Sequence, residues 1–109
     1  MKLLTYLKLQ NLFILIFILG IASNSIAVLH NDCKMPFYAP YEYLSGSHVS
    51  FYEKGEINFY YLADIFKIRN IYFSFGDLCL TIGGIGLIWM LIYQFKQYRR
   101  IKKGGRWKD

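Results

Sequence analysis

Two uninterrupted apolar runs frame the chain, and a mixed, ring-rich segment lies between them. From Leu12 to Leu29, and again from Leu78 to Phe95, no residue carries a charge. Neither run alternates apolar and polar positions, so both predict helices rather than half-buried strands. Each offers about 27 Å of helix at about 1.5 Å per residue, close to the hydrocarbon thickness of a bilayer. The pattern predicts an all-α membrane protein, a two-helix transmembrane hairpin with an aromatic-rich extracytoplasmic loop. Its divisions are a cytoplasmic N-terminus at 1–11, a first transmembrane helix at 12–29 and a partly interfacial loop at 30–75. A second transmembrane helix follows at 76–95, then a basic cytoplasmic tail at 96–109.

Composition agrees with the pattern. The 109 residues are 55% hydrophobic and 19% aromatic, too apolar and too few for two soluble domains. Charge then supplies an orientation. Lys2 and Lys8 precede the first run, and Lys96, Arg99, Arg100, Lys102, Lys103, Arg106 and Lys108 follow the second. Between the runs, Asp32, Glu42, Glu53, Glu56, Asp64 and Asp77 outnumber Lys34, Lys54, Lys67 and Arg69. Basic flanks are retained in the cytoplasm, so both termini are expected inside and the loop outside. The net charge of +6 thus reflects topology, and no nucleic-acid partner is expected, because no folded module presents the charges. The tail reads first as a topology anchor. Its second reading is attraction to anionic lipid headgroups, with Trp107 as an interfacial ring.

The first run also fits a signal peptide cleaved after Ala27, which would leave a single-pass chain. Against that, apolar character continues through Val28 and Leu29 to spanning length. The loop holds Tyr38, Tyr41, Tyr43, Phe51, Tyr52, Phe59, Tyr60, Tyr61, Phe66, Tyr72, Phe73 and Phe75, far more rings than a solvated linker needs. Rings with a polar edge suit the headgroup region, so the loop is expected to lie on the outer surface. A short helix is predicted there over Ile57 to Phe66.

Asp77 at the mouth of the second run has a local explanation. Ser74-Phe75-Gly76-Asp77 fits the capping box, in which Ser74 caps the helix and the Asp77 carboxylate reaches back to the Ser74 N–H. The glycines that follow match neither the dinucleotide nor the P-loop spacing. At helical spacing, Gly76, Cys79, Gly83 and Gly86 line one face, and Gly20, Ser23 and Ala27 form a matching face on the first helix. Two small faces running antiparallel predict a hairpin packed tightest towards its outer end. Asn24 beside that face needs a partner, expected to be a backbone carbonyl of the second helix or Thr81.

Little chemistry is expected. His48, Asp64 and Asp77 are the groups that could meet on the outer side, yet an enzyme would need a nucleophile or an acid–base pair brought together. No catalytic residue, cofactor or metal is predicted. Cys33, Cys79, His30 and His48 are too scattered for a zinc site, and a Cys33–Cys79 disulfide is disfavoured because Cys79 lies about a turn inside the membrane.

In their order, several motifs are similar to a bacterial multi-pass membrane family, domain of unknown function 5317. They are Asn24, then NDCKMPF (Asn31 to Phe37), His48, YLADIF (Tyr61 to Phe66) and FSFGDLCLTIGGIGLI (Phe73 to Ile88). The resemblance spans about residues 20 to 95. It implies an intact first helix, and it marks Asn24, Lys34, Met35, Pro36, His48, Asp64, Gly76 and Asp77 as the family-like polar and turn positions. Family members carry further helices upstream, and Ala63 stands where the family has Gly before Asp64. The resemblance therefore implies a partner, another membrane protein or a second copy, that covers surfaces those helices would pack.

Taken together, the sequence points to a non-enzymatic structural or interaction component. The alternatives are a ligand-binding or transport-related module that uses Asn24, His48, Asp64 and Asp77, or the cleaved single-pass form. A pore-forming, holin-like role fits two helices and a basic tail, but the long aromatic loop counts against it.

Overall fold

The computed structural model describes residues 1–109, the Lys54 side chain excepted. Two long helices, α1 (Leu3–Leu29) and α2 (Phe75–Lys102), lie antiparallel, and the intervening residues fold into a cap at one end. Leu3 to Leu29 and Phe75 to Lys102 are both long and apolar enough to cross a membrane. The helices outrun the charge-free stretches because Lys, Gln and Arg are good helix formers and extend a helix beyond its apolar part.

Small residues set the distance between the helices. Gly20, Ser23 and Ala27 of α1, and Gly76, Cys79, Gly83 and Gly86 of α2, are buried in the contact. A Cβ added at Gly20 would stand 2.7 Å from the Gly76 carbonyl oxygen and 2.8 Å from the Leu80 nitrogen, so only glycine admits this approach. Further along, Gly83 faces the Phe17 backbone and Gly86 faces the Phe13 ring. Larger residues thus fill the gap as the helices run towards the tail.

The cap corrects the all-α expectation. Strands β1 (Met35–Tyr38) and β2 (His48–Phe51) pair in parallel, and β3 (Phe66–Ile68) and β4 (Ile71–Phe73) form an antiparallel hairpin. On the free edge of β1, Phe37 bridges Asp64, so β1 is flanked on both sides. The expected helix over Ile57 to Phe66 is instead one 3-10 turn at Tyr60–Leu62, followed by Asp64 in extended pairing. Backbone bonding to β1 outweighs helix propensity here: Asp64 N–H donates to the Pro36 carbonyl at 2.9 Å, and Tyr38 N–H donates to the Asp64 carbonyl at 3.0 Å. Met35, Pro36, Phe37, Ala39, Phe51 and Ala63 form the cap core. Ala63 is 0% exposed, its methyl packed within this core.

A pair of asparagines fastens the cap to α1. Asn58 N–H donates to Asn31 Oδ1 at 2.9 Å, Asn58 Nδ2 donates to the His30 carbonyl at 2.8 Å, and Asn31 Nδ2 donates to the Asn58 carbonyl at 2.8 Å. At the opposite end, α2 stops in a Schellman turn. Gly104, at φ +89°, donates to the Ile101 carbonyl, and Gly105 donates to that of Arg100. The chain then folds back. Trp107 packs against Tyr6 and Tyr93 at ring separations of 5.1 and 5.7 Å and donates from Nε1 to the Met1 carbonyl at 2.8 Å.

Candidate functional site

The acid at the head of α2 belongs to a closed set of hydrogen bonds. Ser74 Oγ accepts from Asp77 N–H at 3.1 Å, and Asp77 Oδ2 accepts from Ser74 N–H at 3.1 Å. Asn24 joins from α1: its Nδ2 donates to Asp77 Oδ1 at 2.9 Å, and its Oδ1 accepts from Ser74 Oγ at 2.7 Å. Both Asp77 oxygens are therefore occupied. The expected partners of Asn24 were a carbonyl of α2 or Thr81, and both are superseded. Thr81 Oγ1 donates instead to the Asp77 carbonyl of its own helix at 2.9 Å. Gly76 explains the change, because any side chain there would run into the Asn24 amide. Asn24 uses that gap to reach the cap.

Asp64 and His48 meet elsewhere, in a pocket of about 380 Å³ within the cap. The parallel pairing of β1 with β2 brings His48 beside Met35, and the Phe37–Asp64 bridge brings Asp64 in from the opposite edge. His48 Nε2 stands 3.8 Å from Asp64 Oδ2, and its Nδ1 is 2.8 Å from Ser47 Oγ. Ser45 shapes the turn before β2, its Oγ accepting from His48 N–H at 3.0 Å. Asp64 is only 5% exposed, and among the described residues its Oδ1 is a buried polar atom with no hydrogen-bond partner. Burial, aided by the negative charge of Asp77, pushes the Asp64 pKa up to about 7.

The pocket walls are loop rings that the sequence names without bringing them to one site. Phe37 lies 5.5 Å from Tyr43, 5.2 Å from Tyr72 and 6.2 Å from Tyr41, centroid to centroid. Hydrogen bonding to Tyr72, together with burial, holds the Tyr41 hydroxyl above its usual pKa. Lys67 Nζ sits 5.2 Å from the Tyr72 ring centre. These residues converge through pairings between segments distant in sequence, and no local spacing marks them. A wider groove of about 580 Å³ runs past Pro40, Glu42, Tyr52 and Glu56, but its acids are exposed to solvent. Cys33 is exposed, Cys79 is buried, and both are free thiols.

The architecture defines a class: a helical hairpin of membrane-spanning length with a folded cap that holds a buried acid in a ring-lined pocket. The chain belongs to the family of unknown function DUF5317, whose model matches residues 1–89. That match takes in α1, the whole cap, and α2 as far as Trp89, and so includes Asn24, His48, Asp64, Ser74 and Asp77. The comparison with curated proteins gives no match, and neither does the comparison with solved structures.

Proposed function

We propose that this protein is a non-enzymatic binding module of the bacterial inner membrane, anchored by α1 and α2, with both termini cytoplasmic and the cap on the outer face. The observation that carries the reading is Asp64, a nearly buried carboxylate with one oxygen unpartnered at the wall of an open pocket. A buried polar atom left without a hydrogen bond costs about 1–3 kcal/mol, and function is a common reason to keep one. Topology rests on the distribution of basic residues, and Lys96, Arg99, Arg100, Lys102 and Lys103 are all exposed where anionic headgroups would meet them. Phe66, Ile68 and Ile71 of the β3–β4 hairpin are exposed too, which suits a cap resting on the lipid surface. A catalytic reading has less support, since the His48–Asp64 separation of 3.8 Å is longer than a hydrogen bond and His48 is 45% exposed.

NMR of the full chain in micelles, carrying labelled Phe, Tyr and His, tests the binding reading against a small-fragment mixture. Saturable shifts of His48, Phe37 and Tyr43 are expected, and their absence across anionic, neutral and cationic fragments would end it. A structural or interaction role is the second reading. It is favoured by the Asn24–Ser74–Asp77 set, in which both Asp77 carboxylate oxygens are already engaged. Retention of α1 is part of the proposal, because cleavage after Ala27 would remove Asn24 and Gly20 from α2. The intact mass of the purified protein decides that point.

A further inference from the structure

Resting on the binding reading, the charge and shape of the pocket define a ligand class. Among its lining groups is Asp64, whose Oδ1 is buried and unpartnered and whose Oδ2 stands 3.8 Å from His48 Nε2. Ionised above about pH 7, this carboxylate repels an anion, and the charge of Asp77 adds to the repulsion. The walls present the rings of Phe37, Tyr43 and Tyr72 around the same volume. Aromatic faces attract a cation through the ring quadrupole, most strongly when water is displaced. The Tyr72 ring already carries the Lys67 ammonium, 5.2 Å from its centre. About 380 Å³ accommodates an ammonium group with its alkyl substituents.

We propose that the Asp64 pocket binds a substituted ammonium cation, its charge against the carboxylate and its alkyl groups against Phe37, Tyr43 and Tyr72. The cation is a free small molecule or the amine headgroup of a lipid, since the same chemistry serves both.

Choline titrated into the full-length protein in phosphatidylglycerol nanodiscs at pH 8 provides the test, read by calorimetry and by the labelled ring signals. Choline is expected to bind at least about tenfold more tightly than its uncharged isostere 3,3-dimethylbutanol. Asp64→Asn should abolish that preference while the circular dichroism spectrum and melting temperature show a folded chain. Tyr72→Leu should lower choline affinity more than it lowers affinity for the isostere. Phosphatidylethanolamine nanodiscs that shift the same rings and compete with choline would identify the lipid as the source, whereas choline binding unaffected by that lipid would identify a free amine. Equal binding of choline and the isostere, or choline binding that persists unchanged in Asp64→Asn, overturns the cation class and leaves the binding module standing. If choline, the isostere and amine lipid all leave the ring signals unmoved while another fragment moves them, the cation class alone falls. If nothing moves them, both readings fall.

Discussion

Asp64 combines two demands that ordinarily conflict, a ladder position in the cap and a carboxyl group out of water. Its backbone is fixed by Pro36 and Tyr38, which sets the Cα–Cβ direction and leaves the carboxyl group buried against the pocket wall. The proton follows from that constraint. With a folded pKa of about 7 against 3.8 for the free group, the folded chain holds a proton that the unfolded chain releases. More protons bound in the native state means that stability falls as pH rises. The Asp64 contribution is therefore full below about pH 4 and declines up to about pH 7, beyond which it is flat. Asp64→Asn should flatten this decline, so that the variant melts higher than the wild type at pH 8 and close to it at pH 4. Thermal denaturation in detergent across that range checks it, and identical pH profiles for the two proteins would mean that Asp64 ionises freely in the folded state. Asp64 and His48 could be singled out in the sequence as polar groups in a ring-rich loop. Phe37, Tyr41, Tyr43 and Tyr72 could not, because only the strand pairings bring them to the same place.

At the scale of elements, what could be read in advance was what is local. Ser74 and Asp77 lie three residues apart, so their mutual bonds need only one turn of helix. The same holds for small residues at steps of three and four along α1 and α2. Asn24 reaches across fifty residues, which no spacing within either helix encodes. The strands were hidden for a related reason. They are three or four residues long, and β1 pairs with a parallel neighbour, so alternation has no length over which to show. Helix contact gives a paired prediction. Gly20→Ala places a methyl against the backbone of Gly76 and Leu80 and should cost about 1–3 kcal/mol, the range for overpacking. Gly84→Ala places its methyl 3.7 Å from Phe17, an ordinary contact, and should be neutral or slightly stabilising because alanine favours helix. Unfolding of both variants in mixed micelles separates the two, and equal effects would show that the helices do not approach at Gly20.

The whole molecule is 62 Å long and about 24 Å across, with a polar closure at each end of an apolar hairpin. At the tail end, Gln97 Nε2 donates to the Lys108 carbonyl at 2.6 Å, and Gln97 Oε1 accepts from Lys108 N–H at 2.9 Å. Trp107, read from sequence as an interfacial ring, packs edge-on to Tyr6 and tilted against Tyr93. The reversal at Gly104 turns it inward, a long-range result of a two-glycine pair whose local reading gave only the end of a helix. The proposed orientation has a direct check in the two thiols. A membrane-impermeant maleimide added to cells with a permeabilised outer membrane should label exposed Cys33 and leave buried Cys79 unreacted until denaturation. Labelling of Cys33 only after the inner membrane is broken would place the cap in the cytoplasm.

Asn24 carries a consequence for how such a chain enters a bilayer. Its side-chain partners, Ser74 and Asp77, are synthesised some fifty residues later. Until they emerge, the Asn24 amide of α1 has only its own backbone to bond to, and if α1 enters lipid alone that amide is a cost the helix carries. Relief comes with the second helix, when the amide acquires a donor and an acceptor in one step. On the proposed topology, the pair of helices, rather than either one, is then the unit expected to settle in lipid.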